Sequence, residues 1–256
     1  MKIDFHAHYI DEPDYIEKML ETYGHLGIDI VCISGLGSLI EHKDNDDVEK
    51  AFRKHPDRII GFAYFRLGKN LPEDVLRFKE RGFKALKMTM PPLDYDDETF
   101  FPVYEKAAEL EMPILFHSGV LGPRKSHYKG IPSSKHTRPI CIEKIARSFP
   151  EINVVCAHMG ISWFSEASDL ARMIPNFYVD ITGATPGWRA HRKPEFFREY
   201  LWWEKAWDKV LFGTDVHYSE VELVLKREEK LLKDLSLSEC EKNKFYSNNA
   251  SSILKL

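Results

Sequence analysis

The chain has 256 residues, of which 43% are hydrophobic, and its formal net charge at pH 7 is −4. This length suits one large domain, since a barrel of alternating strands and helices needs about 250 residues. The mild acidity excludes a general attraction to nucleic acid or anionic membranes, and no apolar run approaches the roughly 20 residues of a membrane span.

The cysteines indicate the cellular compartment. All four are isolated in sequence, with no redox or metal-finger spacing: Cys32, Cys141, Cys156 and Cys240. Because the first predicted strand begins at Lys2, we also expect no signal peptide or transit segment ahead of it. These features predict a reduced, cytoplasmic protein.

The first predicted strand covers residues 2–8 and carries an unusual set of side chains. Since side chains alternate across a strand, Asp4, His6 and His8 share one face. Two imidazoles two residues apart can reach one ion, and histidine with aspartate suits zinc and similar metals. Two partly buried histidines without a metal are the alternative, and His-x-His alone does not exclude it.

The rest of the chain repeats one pattern, an apolar run followed by a helical segment. Strands are predicted at residues 2–8, 28–33, 59–65, 83–88, 114–117, 153–158, 177–181 and 210–215. Helices are predicted at residues 11–23, 45–55, 71–81, 99–110, 140–148, 161–173, 194–207, 219–234 and 239–254.

Strict alternation of strands and helices predicts the topology. We expect one domain over residues 1–256, a closed parallel (β/α)8 TIM barrel with a C-terminal helical extension. A doubly wound open sheet is the competing topology. It is disfavoured because no glycine-rich phosphate-binding fingerprint follows any early strand.

Polar residues collect where the predicted strands end, which is where barrels of this kind place their active sites. After the two histidines of the first strand, they are Lys87 on the fourth strand, His117 on the fifth, His158 on the sixth and Asp215 on the eighth. Four histidines and an aspartate at such ends predict a shared metal centre. Which histidine binds the metal and which lies beside it stays open at this point.

Several local strings carry a resemblance to a known family. They are DFHAH at 4–8, GFKALK at 82–87, PILFHSG at 113–119, AHMG at 157–160, FGTD at 212–215 and the dipeptide Asn249-Ala250. Together they resemble the amidohydrolase superfamily. Within it, the chain is similar to the amidohydrolase-related (amidohydrolase 2) branch that contains aminocarboxymuconate-semialdehyde decarboxylase.

The resemblance implies a role for each of these residues. One divalent ion, usually zinc, would be held by the set His6, His8, His117 and Asp215. His158 would orient or deprotonate the water on that ion and, with Asp215, form the catalytic pair. A metal with an open position lowers the pKa of bound water to about 7, so this chemistry suits neutral pH.

Lys87 has two interpretations. In binuclear relatives a lysine on the fourth strand is carboxylated and bridges two metals, whereas the branch resembled here is usually mononuclear. We therefore expect Lys87 to be solvated or to face the substrate. TatD-like nucleases share the His-x-His start but carry a glutamate on the fourth strand, where this chain has Lys87-Met88-Thr89.

The same residues serve two reactions, so the motif does not choose between them. Hydrolysis of a small carboxylate-bearing substrate is the leading hypothesis, and non-oxidative decarboxylation is the alternative. A non-catalytic metal-binding barrel is the second alternative, although such a protein would not need His158.

The loops give a hint about the substrate. Basic residues collect in residues 118–138 and 188–193, namely Arg124, Lys125, His127, Lys135, His136, Arg138, Arg189, His191, Arg192 and Lys193. In a net acidic chain this charge would attract a carboxylate, and Arg138 with Lys87 is the predicted substrate-binding pair. Solvation, or neutralisation by the acids at 94–98, is the alternative. The expected partner is a small molecule, with no nucleic acid and no membrane, and a homodimer is compatible with the sequence.

Overall fold

The computed structural model describes residues 1–38, 41–122, 133–184 and 186–256. Its strands are β1 (Ile3–His8), β2 (Ile30–Ser34), β3 (Ile59–Phe65), β4 (Ala85–Met88), β5 (Ile114–Phe116), β6 (Val154–Cys156), β7 (Phe177–Asp180) and β8 (Val210–Leu211).

Helices follow the strands along the chain. They are α1 (Tyr15–His25), α2 (Asn45–Lys54), α3 (Pro72–Arg81), α4 (Phe101–Glu109), α5 (Ile140–Ser148), α6 (Phe164–Met173), α7 (Pro194–Tyr200), α8 (Val221–Asp234), α9 (Glu239–Asn243) and α10 (Asn249–Leu254). Among the described residues, no helix combines the length and the apolar character that a membrane span requires.

The strands are hydrogen-bonded in chain order from β1 to β8, and the fold is a parallel (β/α)8 barrel. This confirms the predicted fold class. The chain comprises two compact units, whose boundaries fall within β3 and β7. Residues 1–62 and 180–256 form what we call the terminal unit, and residues 63–179 form the central unit.

In the terminal unit, β1 lies between β2 and β8. Ile3 pairs with Ile30, and the register shifts between Asp4 and Ala7, so the strand is irregular at the first histidine. On the other side, the Phe5 amide donates to the Phe212 carbonyl at 3.0 Å. Both neighbouring strands carry buried apolar residues, with Val31 and Ile33 on β2 and Val210 and Leu211 on β8.

In the central unit, β4 to β7 pair in parallel, with Leu86 opposite Ile114 and Ile114 opposite Val154. The sequence signals around α3 agree with the structure. Pro72 is its first residue, and Gly82 ends it with a left-handed φ of 102°. Proline suits the first helical turn, and glycine adopts positive φ without a steric penalty.

Two predicted helices are shorter or interrupted. The helix predicted over 194–207 ends at Tyr200, and a separate 3₁₀ turn follows over Ala206–Lys209. The helix predicted over 239–254 is broken by one wide turn over Lys244–Asn248, between α9 and α10.

Candidate functional site

Three of the predicted metal ligands come together in the terminal unit. His6, His8 and Asp215 each offer one ligand atom, and these atoms lie within 4.8 Å of one another. The His8 Nε2 is 3.1 Å from Asp215 Oδ1, and the His6 Nε2 is 3.7 Å from the same oxygen. His6 is buried, while the side chains of His8 and Asp215 are 12% and 22% exposed, so the group has a solvent-facing side.

The other nitrogen of each imidazole is held by a neighbour. The His6 Nδ1–H donates to the Asp180 carboxylate at 2.8 Å. The His8 Nδ1 lies 3.0 Å from Ser34 Oγ and 3.3 Å from the Ser34 carbonyl oxygen, which can only accept. Hydrogen bonds of this kind fix the tautomer and ring orientation of metal-binding histidines. They direct both Nε2 atoms toward Asp215.

Asp180 is itself held in place. Its second oxygen accepts from the Thr182 amide at 3.0 Å and from the Thr182 hydroxyl at 2.6 Å. Asp180 and Thr182 are both fully buried. The sequence showed Asp180 as a charged residue within an otherwise apolar strand, but it assigned no role to Asp180, Thr182 or Ser34.

Asp4 anchors the strand that carries the two histidines. One of its oxygens accepts from the His6 amide at 3.0 Å and the Thr214 amide at 3.1 Å. The other accepts from the hydroxyls of Tyr23 and Thr214, both at 2.7 Å. Burial raises the pKa of Asp4 to about 6, although these hydrogen bonds oppose the rise. Since Thr214 precedes Asp215, Asp4 connects the strand of the two histidines to the predicted ligand Asp215.

The central unit brings His117 and His158 together. Their ring centroids are 5.1 Å apart. The backbone of His117 is fixed on both sides, because its amide donates to the Met88 carbonyl at 2.8 Å and its carbonyl accepts from the Tyr95 hydroxyl at 3.0 Å. His117 directly follows β5, one residue beyond the observed strand.

His158 departs from the prediction in its local conformation. It lies two residues beyond β6, in a turn over Ala157–Gly160, and it has a left-handed φ of 57°. Positive φ is uncommon for residues other than glycine and is found disproportionately at functional sites. The side chain is buried.

Lys87 lies in β4 and is 1% exposed. The expectation that the Lys87 side chain is solvated is therefore wrong, because it is buried in the protein. Its contact with a substrate stays a prediction.

Arg138 has a protein partner. Its guanidinium pairs with Glu166, which raises the pKa of Arg138, and it lies 5.4 Å from the centre of the Trp163 ring. The predicted role of Arg138 in substrate binding stays a prediction.

In the same unit, Asp94 pairs with His136 and lies 3.9 Å from Lys135. Asp94, an acid of the loop after β4, thus contacts two of the basic loop residues, as the alternative interpretation expected.

Another basic residue from these loops, Arg189, lies in the protein interior. It is 2% exposed and pairs with the buried Glu228, so it is not a solvent-facing cation. Arg124, Lys125 and His127 lie outside the described residues.

Comparison with known proteins concerns the family and the fold of the chain. A family model described as Amidohydrolase matches residues 39–256. No sequence among curated proteins matches the chain.

Solved structures share the fold. A 2,6-dihydroxybenzoate decarboxylase in complex with 2,6-dihydroxybenzoate is 16% identical with a TM-score of 0.70, and the match covers 99% of this chain and 98% of that one. A probable 2-pyrone-4,6-dicarboxylic acid hydrolase from Acinetobacter baumannii is 14% identical with a TM-score of 0.67, covering 100% and 99%. A 5-carboxyvanillate decarboxylase from Novosphingobium aromaticivorans with bound manganese is 15% identical with a TM-score of 0.65, covering 100% and 97%.

Proposed function

Because this chain belongs to the amidohydrolase family, we propose that it is a metal-dependent enzyme that hydrolyses a small carboxylate-bearing molecule. The observation that carries the proposal is the convergence of His6 Nε2, His8 Nε2 and Asp215 Oδ1, with the opposite nitrogen of each imidazole already hydrogen-bonded. Both histidines are thereby prepared to act as neutral ligands.

The donor set fits a divalent ion. Imidazole and carboxylate ligands suit zinc, and manganese also accepts them. We propose zinc, with His117 as the fourth ligand, the position that the family resemblance assigns to it. When bound, such an ion supplies Lewis-acid polarisation and lowers the pKa of water.

The chain's own residues supply the rest of the chemistry. We assign His158 the transfer of a proton at an imidazole nitrogen, since the unperturbed pKa of histidine lies near neutrality. Asp215 would hold the reacting water in place through its carboxylate. Lys87 and Arg138 would bind the substrate carboxylate. Arg138 would then either release its partner Glu166 or bind both carboxylates.

Non-oxidative decarboxylation is the second candidate. It is favoured by the decarboxylases among the structural neighbours, whereas another neighbour is described as a hydrolase. All three names refer to carboxylates, which supports the proposed substrate class. In decarboxylation the same residues would orient the carboxylate, and His158 in its protonated form would deliver a proton to the carbon whose bond to the leaving CO₂ breaks.

Metal analysis tests whether the enzyme depends on a bound metal ion. Freshly purified protein should contain about one divalent ion per chain, and His6→Ala and Asp215→Ala should lose it. His25→Ala is the matched control, because that imidazole is 79% exposed and belongs to none of the candidate ligand groups among the described residues. Full activity in a chelator, from protein without metal, would overturn the metal-dependent mechanism.

A substrate panel tests the proposed hydrolysis. Lactones, amides and aromatic carboxylates are incubated with metal-loaded protein, and acid release and CO₂ are measured separately. Acid release without CO₂ supports hydrolysis, whereas CO₂ release from the carboxylates alone would replace it with decarboxylation. Bound metal with no turnover across the panel would favour the non-catalytic barrel.

A further inference from the structure

The segment that follows β7 is held at three successive carbonyl groups by side chains. The Arg189 Nε donates to the Ile181 carbonyl at 2.9 Å, and the Trp188 Nε1 donates to the Thr182 carbonyl at 2.9 Å. The Arg227 guanidinium lies 3.4 Å from the Gly183 carbonyl. We call residues 181–183 the brace.

A buried acid on α8 connects two of these donors. Glu228 is 1% exposed; one of its oxygens pairs with Arg189, and the other accepts from the Arg227 Nε at 3.0 Å. Glu228 lies among the buried apolar residues of α8, Val224, Leu225, Leu231 and Leu232. A charged side chain in such a stripe requires a partner, because an unpaired buried carboxylate is strongly disfavoured.

The brace leads directly to the first metal-binding histidine. Thr182 within it donates from its amide and its hydroxyl to Asp180, and Asp180 accepts from the His6 Nδ1. Gly183 and the Trp188 side chain are in close contact, since a Cβ on Gly183 would lie only 2.6 Å from the Trp188 Nε1. A shift of the brace therefore moves the carboxylate that orients His6.

We propose that the buried Arg189–Glu228 pair positions His6 for metal binding by fixing the brace and, through it, Asp180. The inference rests on the proposed metal centre. A buried ion pair is often no more stabilising than well-packed apolar residues, so stability alone is a weak explanation for it. The proposal also accounts for the burial of Arg189, a charged residue from a loop.

The main test compares Glu228→Gln with two controls on the same helix. Glu228→Gln keeps the shape but loses the charge that holds both arginines. Leu232→Ala is an equally buried α8 variant that leaves the brace donors in place, and Glu222→Gln is an exposed one. Metal affinity is measured by chelator competition, and stability by urea unfolding of the metal-free protein.

We expect Glu228→Gln to weaken metal binding by about 10- to 100-fold, the usual range for residues that support metal ligands. Leu232→Ala should lower stability without changing metal affinity, and Glu222→Gln should change neither. Combined with Asp180→Asn, Glu228→Gln should add little further loss, since both act through His6. Equal affinity losses in Glu228→Gln and Leu232→Ala would overturn the proposal.

A second readout does not depend on the metal. ¹⁵N NMR of the metal-free protein reports which nitrogen of His6 carries the proton. Wild type should show protonated Nδ1, and Glu228→Gln should broaden or lose that signal. An unchanged His6 signal would refute the positioning role, whether or not the proposed metal binding holds.

A milder variant covers the case in which Glu228→Gln does not fold. Trp188→Phe keeps an aromatic side chain, although a smaller one, and removes the Nε1 donor to the Thr182 carbonyl. It should shift metal affinity and the His6 signal in the same direction by a smaller amount, and no change in either would count against the proposal.

Discussion

Gly213 packs against His6, the first of the proposed metal ligands, so adding one methyl group there should disturb both stability and metal binding. A Cβ at position 213 would lie 2.7 Å from the Thr182 Cγ2, 2.9 Å from the His6 Cβ and 3.2 Å from the His6 amide nitrogen. Two of these distances are under the 3.0 Å that real Cβ contacts essentially never show. None of the three atoms is the end of a long flexible side chain.

The size of the effect follows from that overlap. Ordinary contacts begin at 3.4 Å, so either Thr182 or the β1 backbone must move by several tenths of an ångström. Overpacking of this kind costs about 1–3 kcal/mol. Because the displaced atoms belong to His6 and to the residue that holds Asp180, Gly213→Ala should also weaken metal binding.

Gly24→Ala is the matched control. Gly24 lies within α1, and nothing lies within 4 Å of its added Cβ. Alanine is favoured over glycine in a helix by about 1 kcal/mol, so this variant should gain stability and keep its metal affinity. Urea unfolding and chelator competition on both variants provide the comparison. If Gly213→Ala matched wild type in both measurements, the close packing inferred around His6 would be wrong.

Two further predictions concern single side chains. His158→Asn should keep most of the metal while kcat falls by about 10²–10⁴, the usual contribution of general acid–base catalysis; loss of the ion, as expected for His117→Ala, would make His158 a ligand instead. Burial raises the pKa of the Cys141 thiol to about 12, so at pH 8 almost none of it is thiolate in the folded protein. Iodoacetamide should therefore label the exposed Cys240 first, with Cys141 reacting only at higher pH or in urea; equal labelling at pH 8, read by mass spectrometry, would contradict this.

Much of the fold follows from local sequence signals. β3 has the predicted bounds, Ile59–Phe65, because it is a continuous apolar run between polar residues. The end of α3 is marked by Gly82, which adopts the left-handed conformation. β8 was predicted to continue to Asp215, yet it ends at Leu211. Hydrophobicity alone cannot show where the strand ends, because Phe212 is still buried and still accepts a hydrogen bond from the Phe5 amide.

The residues of the candidate site likewise include some that the sequence identifies and others that it does not. His6, His8 and Asp215 were identified from their residue types at strand ends and from motifs, and the terminal unit brings them together. Their supporting residues were not identified. Asp180 and His6 are 174 positions apart, and no local sequence pattern indicates that the Asp180 carboxylate accepts a hydrogen bond from the His6 imidazole.

Glu228, in contrast, is visible as an anomaly in the sequence. In α8, the buried positions 221, 224, 225, 228, 231 and 232 recur with helical spacing, and all of them are apolar except Glu228. A carboxylate on the apolar face of a helix has to meet a cation in the interior. Arg189, which was grouped with the loop cations expected to attract a substrate, is that cation. Charge on a loop therefore indicates a substrate site only after the acids on the buried faces of neighbouring helices have been paired.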